Sequence, residues 1–335
     1  MSNCNFLRAL GILGIYRHAV TNPMVNADSL GIPKSVFNNS MNLIPVSEVD
    51  KWFGLLELQT NDPDIILKLA DRVDIERLGP LTNWFFSGHD LASTIRRVNI
   101  GLHCLQSGAF LYGAQVGTMI KWCYDNPAYS EAGKVHDSIR VAIFIMKILR
   151  RYLGDDFKPV AVSIAGHRDN VDLYQEYFGC TIQWGQPRTE VWIPSESRLS
   201  INQSPSNSKT NLAMNFHDLD HYLNMPDAED EHKVTYEMIN YSRHFGLPTL
   251  HKVSSLLGLS EQQFQRKLHK AGVNFSTIMG YALSNVAVEL LVYSVPVEEV
   301  ATRLGYTNVA SFNRMFKKHR GLTPKQYIER LKNGL

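Results

Sequence analysis

Apolar residues recur at helical spacing through most of the first hundred positions of this 335-residue chain. Segment 45–59 shows the pattern clearly, and Ser47 is the expected N-cap of its helix. Segments 62–73 and 89–105 repeat the same spacing. We therefore predict that residues 1–100 are mostly helical.

The pattern changes beyond residue 107, where aromatic and aliphatic residues are interrupted by glycines. Such runs predict β-strands, separated here by segments with helical spacing. Strands are predicted within 108–124 and over 159–166, and two more, joined by a turn at 185–187, within 181–194. Helices are predicted over 135–154, where Gly154 ends the helix, and over 170–179. The pattern over residues 1–200 thus predicts an α+β domain with a small sheet.

Two polar stretches separate this region from the rest of the chain. Segment 201–210 is poor in apolar residues, and segment 225–233 is acidic. Stretches of this kind mark connections between folded units. We predict a linker over 201–230 that joins the α+β domain to an all-α domain over 231–335. A chain of this length with 44% hydrophobic residues suits two domains better than one core.

The last hundred residues contain a repeated pattern. Segments 250–272 and 297–321 each have an apolar helix ending in Leu-Gly, a Ser or Thr start signal, the sequence Phe-x-Arg-x-apolar and a final Gly. Glycine permits a positive φ at a sharp turn, and Ser260 with Gln263 matches the capping box that begins a helix. Thr307 is the start signal of the second copy. Each segment therefore predicts a helix-turn-helix.

Two apolar residues four positions apart fix the outward face of each predicted second helix. Phe264 and Leu268 pack inward in the first copy, and the same offsets apply in the second. The outward residues are then Gln262, Gln265, Arg266 and His269 in the first copy, and Ala310, Asn313, Arg314 and Lys317 in the second. Arg matches guanine in the major groove, and Asn or Gln matches adenine. Lysines and arginines near the helix ends suit phosphates, namely Lys270, Lys317, Lys318 and Arg320.

Charge is distributed unevenly along the chain. Residues 231–335 carry 14 Lys and Arg against 7 Asp and Glu, whereas the other residues carry 20 against 25. The net charge of +2 therefore hides a basic C-terminal third, which is typical of a module that binds a polyanion. A solvated basic face is the alternative for one such helix, but two copies with the same core favour nucleic acid.

The spacing of the two copies also suits DNA. Phe264 and Phe312 are 48 residues apart, and one long helix is predicted between them over 277–294. A rigid spacer of this kind can place both recognition helices in successive major grooves on one DNA face, about 34 Å apart. One chain would then contact two groove segments.

The remaining patterns favour a cytosolic protein with no membrane contact. The four cysteines (Cys4, Cys104, Cys123 and Cys180) form no CxxC pair, which predicts reduced thiols and no zinc site. The N-terminus has no signal-peptide pattern. The apolar run 141–153 is interrupted by Lys147 and is too short to span a bilayer. We therefore predict a soluble, cytoplasmic protein.

No catalytic chemistry is predicted, because no nucleophile–base motif, phosphate-binding glycine loop or HExxH zinc motif occurs. His217 and His221 have the spacing of a metal pair, but their position in the linker favours a solvated or packing role. For Cys180 packing is favoured over redox sensing. We predict no cofactor and no metal. Three tryptophans near predicted strands line a ligand pocket or belong to the core: Trp122, Trp184 and Trp192.

Residues 231–333 resemble the DNA-binding domain of the AraC/XylS family of bacterial transcription regulators. The most specific stretch is VEEVATRLGYTNVASFNRMFKKHRGLTPKQYI, 297–328. Its end matches the family with Thr323 as N-cap, Pro324 at the first helical position and Tyr327 packing back. The resemblance implies base contacts from Gln262, Gln265 and Arg266 in the first recognition helix, and from Ala310, Ser311, Asn313 and Arg314 in the second. The family's linker helix usually begins with basic residues, and this chain has none there.

Residues 6–200 resemble the so-called arabinose-binding-type sensor domain of a subset of AraC-like regulators, most specifically over VAVSIAGHRDNVDLYQEYFGCTIQWGQPRTEVWIP, 160–194. The name is a family label and does not identify a ligand. The resemblance implies a domain that binds a small organic effector, forms a homodimer, or both. It also implies an activator that contacts RNA polymerase at double-stranded promoter DNA. The alternative is a ligand-independent regulator controlled by its abundance or by a protein partner.

Overall fold

The computed structural model describes residues 4–75, 80–201 and 223–333 of the chain. The chain divides into two compact units, one of Asn5–Met225 and one of Pro226–Leu335 together with Met1–Cys4. The described part of the first unit contains helices and strands, and that of the second contains helices alone. The predicted α+β and all-α fold classes are thus confirmed. Most of the predicted linker, with His217 and His221, lies outside the described residues.

In its described part the first unit combines helices with short strands, and its 3₁₀ turns there include Ala27–Ser29, Lys34–Asn38 and Ser195–Leu199. The helices are α1 (Leu10–Ala19), α2 (Val46–Thr60), α3 (Ile65–Ala70), α4 (Pro80–Phe85), α5 (Leu91–Leu105), α6 (Glu131–Leu153) and α7 (Val171–Phe178). The strands are β1 (Phe6–Arg8), β2 (Leu43–Pro45), β3 (Phe110–Val116), β4 (Met119–Asp125), β5 (Ala161–Ser163), β6 (Ile182–Gln183) and β7 (Thr189–Pro194).

Five of these strands form one sheet in the order β3-β4-β7-β5-β6. β5 and β6 run parallel, and the other neighbours are antiparallel. The two strands that the sequence predicts within 181–194 are present as β6 and β7, but they are not neighbours in the sheet. β5 lies between them: Val162 pairs with Ile182 on one side and Val191 on the other. β1 and β2 form a separate antiparallel pair and have only three residues each, too few to show a strand period.

Helix boundaries differ from the predicted ones where the chain context overrides the local signal. Ser47 is not the N-cap of α2, because β2 runs directly into the helix and Pro45 occupies the cap position. α6 begins earlier than predicted, since the side chain of Ser130 caps it by accepting a hydrogen bond from the N–H of Gly133. Gly154, with φ of 97°, ends α6 as predicted.

The core of the first unit lies between one face of the five-stranded sheet and helices that include α2, α3, α5 and α6. Trp52 and Trp122 are fully buried there. Trp122 also donates a 2.7 Å hydrogen bond from Nε1 to Oδ1 of Asn99, which satisfies its polar atom. Trp122 is therefore a core residue, whereas Trp184 and Trp192 are only half-buried.

A buried ion pair ties several of these elements together. Asp137 of α6 accepts hydrogen bonds from Tyr124 O–H at 2.6 Å and from Nη2 of Arg140 at 2.5 Å. Arg140 also donates from Nη1 to the carbonyl oxygen of Gly11 in α1. Burial by itself would lower the pKa of Arg140, but the Asp137 carboxylate outweighs burial and the net pKa is raised. Arg140 therefore stays charged, and the hydrogen bonds of Arg140 and Asp137 join α1, β4 and α6.

A second polar cluster is centred on His136 of α6, whose side chain is 4% exposed. Its Nε2 lies 3.0 Å from Oε2 of Glu57, and its Nδ1 lies 3.1 Å from Nη2 of Arg168. Burial lowers the pKa of His136, and the Arg168 cation lowers it further, to about 3. The ring is thus neutral at pH 7, so its contact with Glu57 is a hydrogen bond donated by Nε2–H and not an ion pair.

The second unit consists of seven described helices. They are α8 (Glu231–Ser242), α9 (Leu250–Leu256), α10 (Glu261–Lys270), α11 (Phe275–Val292), α12 (Val297–Arg303), α13 (Val309–Arg320) and α14 (Pro324–Lys332), with a 3₁₀ turn at Arg243–Phe245. The long spacer helix predicted over 277–294 is present as α11, two residues earlier. α11 packs against α8, α12, α13 and α14 and is the central helix of the unit.

The length and composition of α11 would also allow it to cross a membrane, and it is the one helix in the described part of the chain that meets this criterion. The apolar run 141–153 lies in α6, which does not meet the criterion. Packing accounts for the composition of α11, because a helix that contacts neighbours on several sides is apolar on several sides. Its buried residues include Ala282, Leu283, Ala287 and Leu291.

The neutral, buried His136 makes the first unit sensitive to acid. The unfolded ring takes up a proton below about pH 6.5, whereas the folded ring stays neutral down to about 3. The unfolded state therefore binds more protons in this window, and stability falls as the pH falls from about 6.5 toward 3. We expect wild type to lose about 2 kcal/mol more than His136→Gln between pH 7 and pH 5.

Urea unfolding followed by tryptophan fluorescence measures this difference cleanly, because all five tryptophans lie in the first unit. His167→Gln is the matched control, since the side chain of His167 is 63% exposed. It should follow wild type. Equal losses in wild type and His136→Gln would show that this ring is not the source of the acid sensitivity.

Candidate nucleic-acid interface and ligand cleft

α9 and α10 form the first helix-turn-helix. Gly258 sits in the turn between them with φ of 66°. The hydroxyl of Ser260 accepts from the N–H of Gln263 at 3.2 Å, and Oε1 of Gln263 accepts from the N–H of Ser260 at 2.9 Å. The predicted capping box is thus confirmed. Phe264 and Leu268 are buried, as predicted, and the opposite face of α10 is exposed.

α12 and α13 form the second helix-turn-helix. Gly305 in its turn has φ of 83°, and a Cβ there would collide with the backbone of Leu247, so glycine is required on two grounds. The predicted start signal Thr307 is wrong by one residue. Asn308 is the N-cap, and its Oδ1 accepts from the N–H of Ser311 at 2.8 Å. Asn caps a helix at least as well as Thr does.

The end of the second motif matches the sequence prediction in detail. Thr323 caps α14 in a capping box with Gln326, and Pro324 occupies the first turn. The ring of Tyr327 packs edge-on against Phe316, with centroids 5.5 Å apart. Phe312 and Phe316 are fully buried, and so α13 is held on its unit by aromatic packing.

Most of the predicted base-contacting residues lie on exposed helix surface: Gln262, Gln265 and Arg266 on α10, and Ala310 and Arg314 on α13. Ser311 and Asn313 are half-buried. Nη2 of Arg314 donates a 3.0 Å hydrogen bond to Oγ of Ser311, which places the guanidinium beside the first turn of α13. In a helix-turn-helix the N-terminal residues of the second helix are the ones that meet base edges.

The four predicted phosphate-contacting residues divide into two groups. Lys270, Lys317 and Lys318 are exposed. Arg320 is half-buried, and its Nη2 donates a hydrogen bond to Oδ1 of Asn285 in α11. Arg320 therefore fastens the second recognition helix to the central helix, whatever it contributes to a phosphate contact.

Sequence reasoning missed two residues of α11 that position the recognition helices. Asn285 accepts from Arg320 of α13 and donates from Nδ2 to the hydroxyl of Tyr236 in α8 at 2.8 Å. Gly280 leaves room for the ring of His319 in α13, where a Cβ would collide with it. The signal that could have found them is a lone amide and a lone glycine within an otherwise apolar helix.

The first unit contains a polar cleft of about 840 Å³ between α2, the first turns of α6 and the loop before α7. Its lining includes the cluster already described, Glu57, His136 and Arg168. The side chain of Arg168 is 11% exposed, and its Nε is buried without a hydrogen-bond partner in the described part of the chain. A Cβ at Gly54 would meet no atom within 4 Å, so α2 presents open space to the cleft.

A second cavity, between α1, α3, α5 and α6, is more enclosed and apolar, but it measures only about 90 Å³. A cavity that holds benzene is about 150 Å³. We therefore regard the apolar cavity as a packing feature and the polar cleft as the ligand site candidate. No group of three or more His, Cys, Asp or Glu in the described ranges is arranged to hold a metal. Burial raises the pKa of the half-buried Cys180 thiol, which keeps it protonated at pH 7.

Comparison with known proteins identifies relatives of both units. Among curated proteins, the uncharacterized HTH-type transcriptional regulator Rv1395 of Mycobacterium tuberculosis is 38% identical over 84 residues, which cover 25% of this chain and 24% of the relative. The HTH-type transcriptional activator CfaD of Escherichia coli is 31% identical over 87 residues, which cover 26% of this chain and 33% of the relative. The chain thus matches only a quarter to a third of the length of these two relatives.

A solved structure, the transcriptional regulator CdpR from Pseudomonas aeruginosa, aligns with 84% of this chain and 91% of its own, at 15% identity and a TM-score of 0.42. Two family models match the sequence. The one described as "Helix-turn-helix domain" matches residues 253–330. The one described as "Arabinose-binding domain of AraC transcription regulator, N-term" matches residues 27–198, just over half of the chain. The chain therefore belongs to the family of AraC transcription regulators that carry this N-terminal domain.

Proposed function

We propose that the chain is a sequence-specific DNA-binding transcription regulator, which acts in the cytoplasm on double-stranded promoter DNA. The observation that carries the proposal is the presence of two helix-turn-helix motifs on one central helix. Each presents an exposed face with an arginine: Arg266 on α10 and Arg314 on α13. Arginine is the commonest side chain in specific contacts to guanine, and glutamine neighbours on α10 suit adenine.

The basic charge of this unit supports the same proposal. Exposed Lys270, Lys317 and Lys318 lie toward the C-terminal ends of the two recognition helices. Such residues set the position on the duplex and make affinity depend on salt, while base contacts supply specificity. An architectural DNA binder without sequence preference would not need the amide and guanidinium groups that the two faces present.

We further propose that the regulator is an activator that contacts RNA polymerase. The support is the name of the relative CfaD, a transcriptional activator, together with the match to the helix-turn-helix unit. The first unit binds a small organic effector in the polar cleft beside Glu57, His136 and Arg168. A ligand-independent regulator controlled by abundance or a protein partner is the second candidate.

Selection of binding sequences from a random DNA pool tests the DNA proposal. Wild type should enrich a two-part motif with its halves about one helical turn apart. Arg314→Ala should relax one half, and Arg266→Ala the other, each at a cost of about 1–3 kcal/mol in affinity for the selected site. Arg330→Ala, an exposed arginine on α14, is the matched control and should leave the motif unchanged.

Two results would contradict this assignment of residues. One is a motif that relaxes equally at all positions in Arg314→Ala and Arg266→Ala, since both would then contact only phosphates. The other is no enrichment by full-length protein. That experiment is repeated with effector candidates present, and continued failure would overturn the sequence-specific regulator.

A second test addresses the coupling of the two motifs. Asn285→Ala removes the hydrogen bonds to both Tyr236 and Arg320 and leaves the exposed recognition faces unchanged. We expect it to weaken binding to the complete selected site several-fold, with little change for a DNA that carries either half alone. Ser276→Ala, exposed in the first turn of the same helix, is the control. Equal weakening on complete and half sites would contradict a coupling role.

The cleft is tested by thermal unfolding with tryptophan fluorescence against a panel of sugars, amino acids, organic acids and amines. A ligand at a hundred times its dissociation constant stabilises the folded state by about 2.7 kcal/mol. A Cβ at position 54 meets no atom of the chain within 4 Å, so Gly54→Leu places its side chain in the cleft and should abolish the stabilisation seen in wild type. Arg96→Leu, exposed on α5, is the control and should respond like wild type.

The thermal unfolding results distinguish regulation by an effector in the cleft from ligand-independent regulation. If a compound stabilises wild type and Gly54→Leu equally, its site lies elsewhere in the protein. If no compound in the panel stabilises wild type, the ligand-independent regulator becomes the better account.

A further inference from the structure

The five-stranded sheet of the first unit ends in two unlike edges. At one edge β6 has only two residues, which is too short to recruit another strand. At the other edge β3 has seven residues, Phe110–Val116, and among the described strands it pairs with β4 alone. Natural sheets usually protect a long edge with a proline, a lysine, a bulge or a covering segment. β3 contains no charged residue and no proline, and its register with β4 runs without a bulge.

The open edge of β3 is exposed to solvent along its length. Phe110 is 55% exposed, Tyr112 is 37% exposed and Val116 is 50% exposed. These side chains alternate along the strand and so lie on one face of the sheet. Gly113 and Gln115 are exposed as well, and a Cβ added at Gly113 would meet only Ile120, at 4.0 Å. Within the described part of the first unit, these exposed residues leave the edge accessible to a partner strand.

The pairing with β4 shows which backbone groups are available. The hairpin closes with Val116 opposite Met119 across a two-residue turn, so Val116 and every second residue before it bond to β4. The intervening residues Leu111, Gly113 and Gln115 then direct their N–H and C=O groups to the open edge. Unpaired groups of this kind form a template for another strand.

We propose that β3 is a homodimer interface, in which two copies of the chain pair their β3 strands antiparallel and join their sheets into one. Gly113 lies at the middle of Phe110–Val116, so a two-fold axis beside it brings all three outward residues of each strand into register. In this register Leu111 of one copy pairs with Gln115 of the other, and Gly113 pairs with its own counterpart.

The side chains favour a second copy of the chain over a different partner. Phe110 of one copy stands opposite Val116 of the other, and Tyr112 stands opposite Ala114, so each pair joins an aromatic residue with a smaller apolar one. No like charges meet, because the strand carries none. The same sequence thus satisfies both sides, as a two-fold interface requires. The interface concerns assembly and does not depend on the DNA-binding proposal.

The test uses the proposed register, in which position 110 of one copy lies opposite position 116 of the other. Phe110→Lys combined with Val116→Lys places like charges opposite each other twice in the dimer, whereas Phe110→Lys combined with Val116→Glu places opposite charges there. Both variants keep residue 110 beside Asp125 of β4, so the hairpin itself is preserved. Leu58→Lys, 75% exposed on α2, is the matched control.

Sedimentation velocity of the full chain over a range of concentrations gives the mass of each variant. Wild type and Leu58→Lys should approach twice 38.0 kDa. The doubly basic variant should dissociate with a constant roughly tenfold or more higher, and the oppositely charged variant should recover most of the affinity. A tryptophan emission spectrum like that of wild type shows that each variant is folded.

Two results would overturn the proposal. A monomeric wild type at every concentration would show that the edge does not pair with itself. A dimer that responds equally to both double variants would place the interface elsewhere or in another register. Loss of DNA binding with an intact dimer would bear on the proposed function and leave this interface standing.

Discussion

The distance between the two recognition helices depends on the central helix α11. Its 18 residues span about 27 Å, which is comparable to the spacing of successive major grooves. A spacer helix controls the distance between the two recognition helices only if both of them are fixed to it. Asn285 meets this need from one position, because its amide bonds to Tyr236 beside the first motif and to Arg320 in the second. The two reading faces are thus parts of one rigid frame rather than two domains on a flexible tether.

The same constraint explains why α11 has the composition of a membrane span. It must contact helices on several sides, so it can carry little charge without burying it. Close packing against α11 also explains Gly280. A glycine inside a helix costs about 1 kcal/mol relative to alanine, so it is favoured only where a neighbour approaches closely. The neighbour here is His319 of the second recognition helix. The proposed phosphate contacts are therefore assigned to the ends of α10 and α13, where Lys270, Lys317 and Lys318 are exposed.

Local signals made the second unit predictable from the sequence. Capping boxes at Ser260 and Thr323 and the inward phenylalanines involve residues within one or two turns, so their pattern is visible along the chain. The first unit depends on long-range pairing. The insertion of β5 between β6 and β7, and the meeting of Glu57 with Arg168, join residues far apart in sequence, which no local period reveals. One predicted helix cap was also wrong for this reason: β2 leads directly into α2, so Ser47 is not its N-cap.

The cluster of Glu57, His136 and Arg168 is poorly explained by stability alone. The side chain of Glu57 is 34% exposed, so its ion pair with Arg168 is screened by solvent and adds little net free energy to folding. Here the histidine is held neutral far below its ordinary pKa, which makes the fold weaker in acid. A titratable group whose pKa is shifted by burial and by a specific neighbour, as that of His136 is, is typical of a functional site. His136 lies with Glu57 and Arg168 on the wall of the polar cleft, and this position supports the ligand site proposed there.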